Sequence, residues 1–160
     1  MSDMQTHLKI MLDGLKRKSA ALTEILSISE NQQTVIASEL PLSGVREMIL
    51  AMNEEKQAFI QIVKDCDDMF EKMLKDIGPE LESTQDNYKS QVKVLQENIR
   101  EVMSLDVKIR VQEEENNQLL DKRRAAEIPQ TPGVKPKVSM PTDATKVLNA
   151  YKQGKDGFKG

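Results

Sequence analysis

The side chains in this sequence with the types for chemistry fall in two acidic runs. Glu113, Glu114 and Glu115 stand together, and Asp65, Cys66, Asp67 and Asp68 form a second run. A cation site needs carboxylates that converge on one point. Neighbouring residues of a helix diverge by about 100° around its axis, so consecutive carboxylates point apart. Both runs therefore read as solvated faces. A nucleophilic thiol needs a base beside it, and the chain has a single histidine, His7, remote from Cys66. Cys66 reads instead as a small buried hydrophobe. The sequence contains no glycine-rich phosphate loop, nucleophile elbow or metal-spaced Cys/His cluster. It predicts a protein that is not an enzyme and carries no cofactor and no metal.

What remains is shape and surface. The 160 residues are 31% charged and 3% aromatic, with no Trp, a balance that fits long helices rather than a pocketed enzyme. The net charge of −3 is unevenly spread. Residues 128–160 carry six Lys against Asp143 and Asp156, so the acidic body holds the opposite excess. Such a body argues against nucleic acid, whose phosphates demand a basic face. One cysteine allows no intrachain disulfide. The N-terminal "MSDMQTHLKIMLDGLKRKS" lacks the apolar core of a secretory signal, and no apolar run nears the roughly 20 residues needed to span a bilayer. The expectation is a soluble cytoplasmic protein without membrane or nucleic-acid partners.

Sparse helix breakers set the elements. A first helix is predicted from Asp3 to Ser38, where Leu8, Leu15, Leu22 and Ile36 share a seven-residue spacing interrupted at Ser29, and Met4, Met11 and Ile25 share another. That pattern is the stripe a helix buries against a partner. "SELPLSG" (38–44) ends it, since Pro41 cannot continue a helix. A second helix is expected from Ser43 to Ile77 with a seam of Val45, Met52, Phe59, Cys66 and Met73. Gly78 and Pro79 mark the next break, with Pro79 suited to the first turn of a third helix ending near Ala126. Its seam is Leu81, Tyr88, Leu95, Val102 and Ile109. The same registers deliver Asp106 and then, beyond Ile109, Glu113 and Asn116 before Leu120, so the apolar seam fades.

From Ile128 the composition changes. "IPQTPGVKPKVSMP" holds four prolines and reads as an extended linker. Thr142 or Asp143 would cap a short helix through "ATKVLNAYKQ", bearing Val147, Leu148 and Tyr151. The predicted architecture is therefore all-α: an elongated antiparallel helical hairpin or three-helix coiled-coil bundle over residues 1–127, with a largely flexible tail over 128–160. Seven of the nine Met fall in the first two helices or their lead-in, either as an adaptable core or as a surface for varied helices.

These features together resemble the small helical flagellar export chaperones, the FlgN group with its FliT-like relatives in Gram-positive bacteria. "LKIMLDGLKRKSAALTEILSISENQQTVI" (8–36) is similar to their first helix, and "MNEEKQAFI" (52–60) to a second-helix segment. "IREVMSLDVKIRVQEEENNQLL" (99–120) looks like their third helix, and "LNAYKQG" (148–154) like a short terminal segment. The apolar "LPLSG" departs from the more acidic residues of relatives. The resemblance implies a cytosolic chaperone of flagellar type III secretion. It would bind the amphipathic C-terminal helices of hook-associated proteins, or of flagellin-like axial subunits, and engage export apparatus components.

On that reading the third helix projects beyond its neighbours from Val111 onward, kept soluble by Glu113 and Asn116. Leu105, Val111, Leu119 and Leu120 would then offer a client helix an apolar patch. The competing reading packs Leu119 and Leu120 on the hairpin between helices one and two. Val147, Leu148 and Tyr151 would either fold back as a tethered competitor or stay unstructured, and unused seam would pair two chains as a homodimer. A structural coiled-coil subunit of a permanent assembly is the alternative function.

Overall fold

The computed structural model describes residues 3–127, and they are almost entirely helical, with no strand among them. Helix α1 spans Asp3–Ile36, α2 spans Leu42–Thr84 and α3 spans Lys89–Glu127, with a short 3-10 turn at Gln85–Tyr88 between the last two. The predicted segment from 128 onward, including Val147, Leu148 and Tyr151, lies outside the described residues.

Helix α1 is the shared partner. Its buried residues include Met4, Leu8, Met11, Leu15, Leu22, Ile25, Ser29, Gln32 and Ile36, which are the two spacings visible in the sequence. They pack on both other helices, whereas α2 and α3 have few backbone approaches to each other. As residue numbers rise along α1 they fall along α2 (Lys18 with Asp67, Ser29 with Lys56, Gln32 with Asn53), so these two helices run antiparallel. Numbers rise together along α1 and α3 (Ser19 with Glu101, Ser29 with Glu113), so this pair runs parallel. Gly14, buried in mid-helix, leaves room for the Met69 methyl, which an added Cβ would displace.

Two apolar clusters form. The larger runs from Met4, Leu8 and Met11 through Leu22, Ile25, Ile60, Val63 and Phe70 to Val102 and Ile109. The smaller holds Ile36, Val45, Ile49 and Leu120, with Val35, Leu42 and Leu119 against it. Burying each such side chain fully stabilises by about 1.5–3 kcal/mol.

Two sequence expectations fail here. The buried register of α2 is Ile49, Lys56, Val63, Phe70 and Ile77, while Met52, Phe59 and Met73 are only partly buried. Cys66 is buried, as its apolar reading required. The break expected at Gly78–Pro79 is also displaced. Helix α2 runs through Pro79 to Thr84, and the chain turns at 85–88. The cause is the continued seam. Ile77 is buried in the main cluster and Leu81 packs against it, which keeps this segment on the helix despite the amide hydrogen that Pro79 cannot donate.

The turn between α1 and α2 is held by Ala37 N–H donating to Gln33 O (3.0 Å) and Ser38 N–H to Val35 O (3.1 Å). The Ser38 hydroxyl donates to Val35 O at 2.6 Å. Helix α1 lacks a basic residue in its last turn. Arg123 of α3 supplies the missing donors, to Ile36 O at 2.8 Å, Ser38 O at 3.0 Å and Leu40 O.

Because Pro79 lies inside α2, Pro79→Ala should restore a backbone hydrogen bond and raise stability by about 1–3 kcal/mol. Thermal melting followed by circular dichroism measures this. An unchanged or lowered melting temperature would mean that Pro79 starts a helix, as its sequence context suggested.

Candidate functional site: a buried polar layer

Each helix interrupts its buried register with polar residues, and the interruptions meet. Ser29 breaks the leucine spacing of α1, Lys56 breaks the Ile49–Val63–Phe70–Ile77 register of α2, and Glu113 and Asn116 break that of α3. Ser29, Gln32, Glu113 and Asn116 are fully sequestered, and Asn53 and Lys56 are 2% exposed. The Lys56 ammonium reaches across the α2–α3 seam to donate to Glu113 Oε1 at 2.7 Å, and to Gln32 Oε1 at 2.6 Å. It also lies 3.4 Å from Ser29 Oγ. The Ser29 hydroxyl donates to Glu113 Oε1 at 2.6 Å, and Gln32 Nε2 donates to Asn53 Oδ1 at 2.8 Å. Asn116 Nδ2 donates to the Ser29 carbonyl at 2.8 Å. Gln112 extends the chain from Asn116 to Gln33.

The layer lies between the two apolar clusters. Removing two charges from water costs several kcal/mol each, and their attraction with the surrounding hydrogen bonds roughly offsets this, so such pairs add little net stability. What the layer contributes is register. Sliding α2 by one turn would carry Lys56 into apolar surroundings without an acceptor, at a cost no hydrophobic contact recovers. Glu113 Oε2 and Asn53 Nδ2 make no hydrogen bond among the described residues, so the layer is not fully satisfied.

A second polar level lies deeper in the main core. Lys18, 3% exposed, is ion-paired with Asp67. Asp106, also buried, pairs with Arg110 at 3.5 Å. Burial pushes the Asp67 carboxyl above the usual range, the charge and hydrogen bond of Lys18 oppose this, and Asp68 and Asp106 add to it. Burial also raises the Cys66 thiol. Near the hairpin, burial and then Arg46 lower the buried Arg124, against the pull of Asp121.

The residues predicted to form one client patch are separated. Leu120 is 2% exposed in the hairpin-end cluster, and Leu119 packs against that cluster. Leu105 is partly buried on the main core, and only Val111 is well exposed. Helix α3 does not project from Val111 onward. Glu113 and Asn116, expected to solubilise a free tip, are interior groups, because Lys56 gives the carboxylate a counter-charge inside. Of the acidic run, only Glu114 and Glu115 are exposed.

Among the described residues no group of three or more His, Cys, Asp or Glu is placed to hold a metal ion. Nor is any helix there long and apolar enough to cross a membrane. One shallow groove, lined by Gln5, Leu8, Lys9, Leu12, Gln91 and Val94, opens between the N-terminal parts of α1 and α3. No family model matches the chain, and neither curated proteins nor solved structures provide a match.

Lys56→Met should destabilise by about 3–5 kcal/mol, since it strands Glu113 as an unpaired buried charge. Lys56→Met with Glu113→Leu should recover most of that loss, which chemical denaturation of both variants and the parent measures. Equal destabilisation by single and double variants would show that the two side chains do not act as a pair.

Asp67 sets a pH dependence. A carboxyl held above its unfolded value binds its proton more tightly when folded. Its contribution to stability therefore grows as pH falls through the folded value towards the ordinary carboxylate range. Lys18→Met removes the main opposing charge, so it should raise the Asp67 value further and start that growth at higher pH. Carboxyl titration by NMR checks the shift, and a lowered Asp67 value would contradict the assignment.

Proposed function

We propose that this protein is a client-binding helical chaperone of flagellar type III export, holding the amphipathic C-terminal helix of a hook-associated or other axial subunit. Its fold reads as a three-helix coiled-coil bundle with a weak end. The observation that supports this is the buried layer of Lys56, Glu113, Ser29, Gln32, Asn53 and Asn116, which isolates the small cluster of Ile36, Val45, Ile49 and Leu120 from the main core. Beyond that layer α3 offers Leu119 and Leu120 to the cluster, plus the Arg123 bonds to the hairpin carbonyls. Local opening draws on such lightly held segments. A client helix placing its own apolar stripe against Ile36, Val45 and Ile49 would replace α3 there, as helix-in-groove recognition. The distributed resemblance to export chaperones supplies the class of client.

The test uses the full chain and a peptide spanning the C-terminal helix of a hook-associated protein. Binding should speed amide exchange over the last turns of α3. The variant Lys56→Met with Glu113→Leu joins the two clusters through apolar side chains and should bind the peptide at least about tenfold more weakly. Binding that ignores this variant would remove the hairpin end as the site. No binding, with a stoichiometric non-flagellar partner recovered from cells, would favour a structural subunit of a permanent assembly.

A further inference from the structure

The outward face of α3 carries a pattern that the packing of the described residues does not use. Lys93, Gln96, Arg100, Met103, Val107, Val111, Glu114, Gln118 and Asp121 follow one another at three- and four-residue steps, and all nine are exposed. That spacing places them on one side of the helix, opposite the buried stripe of Leu95, Val102, Ile109, Glu113 and Leu120. The apolar members are about half exposed: Met103 46%, Val107 47% and Val111 52%.

The stripe is symmetric about Val107. Met103 and Val111 lie four residues to either side, Arg100 and Glu114 seven, Gln96 and Gln118 eleven, and Lys93 and Asp121 fourteen. Both cations lie on the N-terminal side and both anions on the C-terminal side. A helix with this arrangement is complementary to itself only when the second copy runs the other way.

We infer that this face of α3 binds a second copy of the chain, with the two α3 helices antiparallel about a two-fold axis at Val107. In that arrangement Val107 meets its own counterpart and Met103 meets Val111 of the second copy. Gln96 lies opposite Gln118, Arg100 opposite Glu114 and Lys93 opposite Asp121, each twice by symmetry. This is an isologous contact in which one patch serves both sides. The parallel alternative stacks Lys93 on Lys93, Arg100 on Arg100 and Glu114 on Glu114, and like charges set against each other are disfavoured at helix pairs. Antiparallel placement also opposes the two helix dipoles. The contacting strip is roughly 42 Å long at 1.5 Å per residue. Its apolar centre is only three side chains from each copy, so the dimer forms and separates with concentration. The inference does not depend on the export-chaperone reading.

Charge reversal tests it in the full-length protein, with sedimentation equilibrium as the readout and circular dichroism confirming helicity. Arg100→Glu alone and Glu114→Arg alone each place like charges at two symmetric contacts and should weaken self-association roughly tenfold or more. Combining both reversals in one chain should return the dimer to parental strength, because every contact is again of opposite sign. In a parallel dimer the combined variant would gain nothing, since like charges would still face each other. A second readout uses disulfide formation. Val107→Cys should cross-link to itself, Met103→Cys and Val111→Cys should not do so separately, and a mixture of those two should cross-link. A chain that stays monomeric at the highest attainable concentration would overturn the inference. So would a dimer indifferent to the reversals that cross-links through Met103→Cys alone.

Discussion

The contact on which the packing turns is the one between the Lys56 ammonium and Glu113 Oε1, 2.7 Å apart with both side chains sequestered. Few backbone approaches link α2 to α3, so what joins them here is a side chain long enough to cross the gap. Lysine provides a four-carbon stem that packs as apolar material and a head that must find an acceptor. Ser29 and Gln32 of α1 lie under that head and share its protons. All three helices are thereby tied at one level, and the geometry of each seam on either side follows from that level.

The Lys18–Asp67 pair repeats the arrangement one level down with a different balance. There Asp67 of α2 takes its cation from Lys18 of α1, and the negative charge of Asp106 on α3 adds to the burial that pushes the Asp67 carboxyl up. An interior with charges at two levels is a poor source of net stability but a strict judge of alignment. It suits long helices whose apolar stripes would otherwise tolerate slippage by a whole heptad.

Much of this was legible in the sequence, and the failures share one origin. The α1 seam could be read because its apolar residues recur at seven, and even its interruption at Ser29 was visible. The α2 seam is hidden from an apolar pattern because Lys56 occupies its centre. A rule that searches for apolar residues passes over the Ile49, Val63, Phe70 and Ile77 register when a lysine sits inside it. The same rule places Glu113 and Asn116 in solvent and extends α3 into water, whereas both are buried. Only a search for matched interruptions, one in each helix, would have found the layer. Pro79 misled for another reason: local propensity favoured a break there, and the burial of Ile77 beside partly buried Leu81 overrode it. The reading that packed Leu119 and Leu120 on the hairpin agrees with where the structure places them.

The hydrogen bonds from Arg123 to the carbonyls of Ile36, Ser38 and Leu40 bear on how the fold is reached. The α1–α2 turn joins neighbours in sequence, which ordinarily makes a turn an early and independent event. Here its last carbonyls wait for a guanidinium that lies 83 to 87 residues further along the chain. Closing a loop of that size carries an entropic cost that local turn formation does not. The local bonds of the turn can form within α1 and its neighbour, but these carbonyls gain their guanidinium donor only when α3 docks, so a turn that looks local is tied to the most distant helix of the chain.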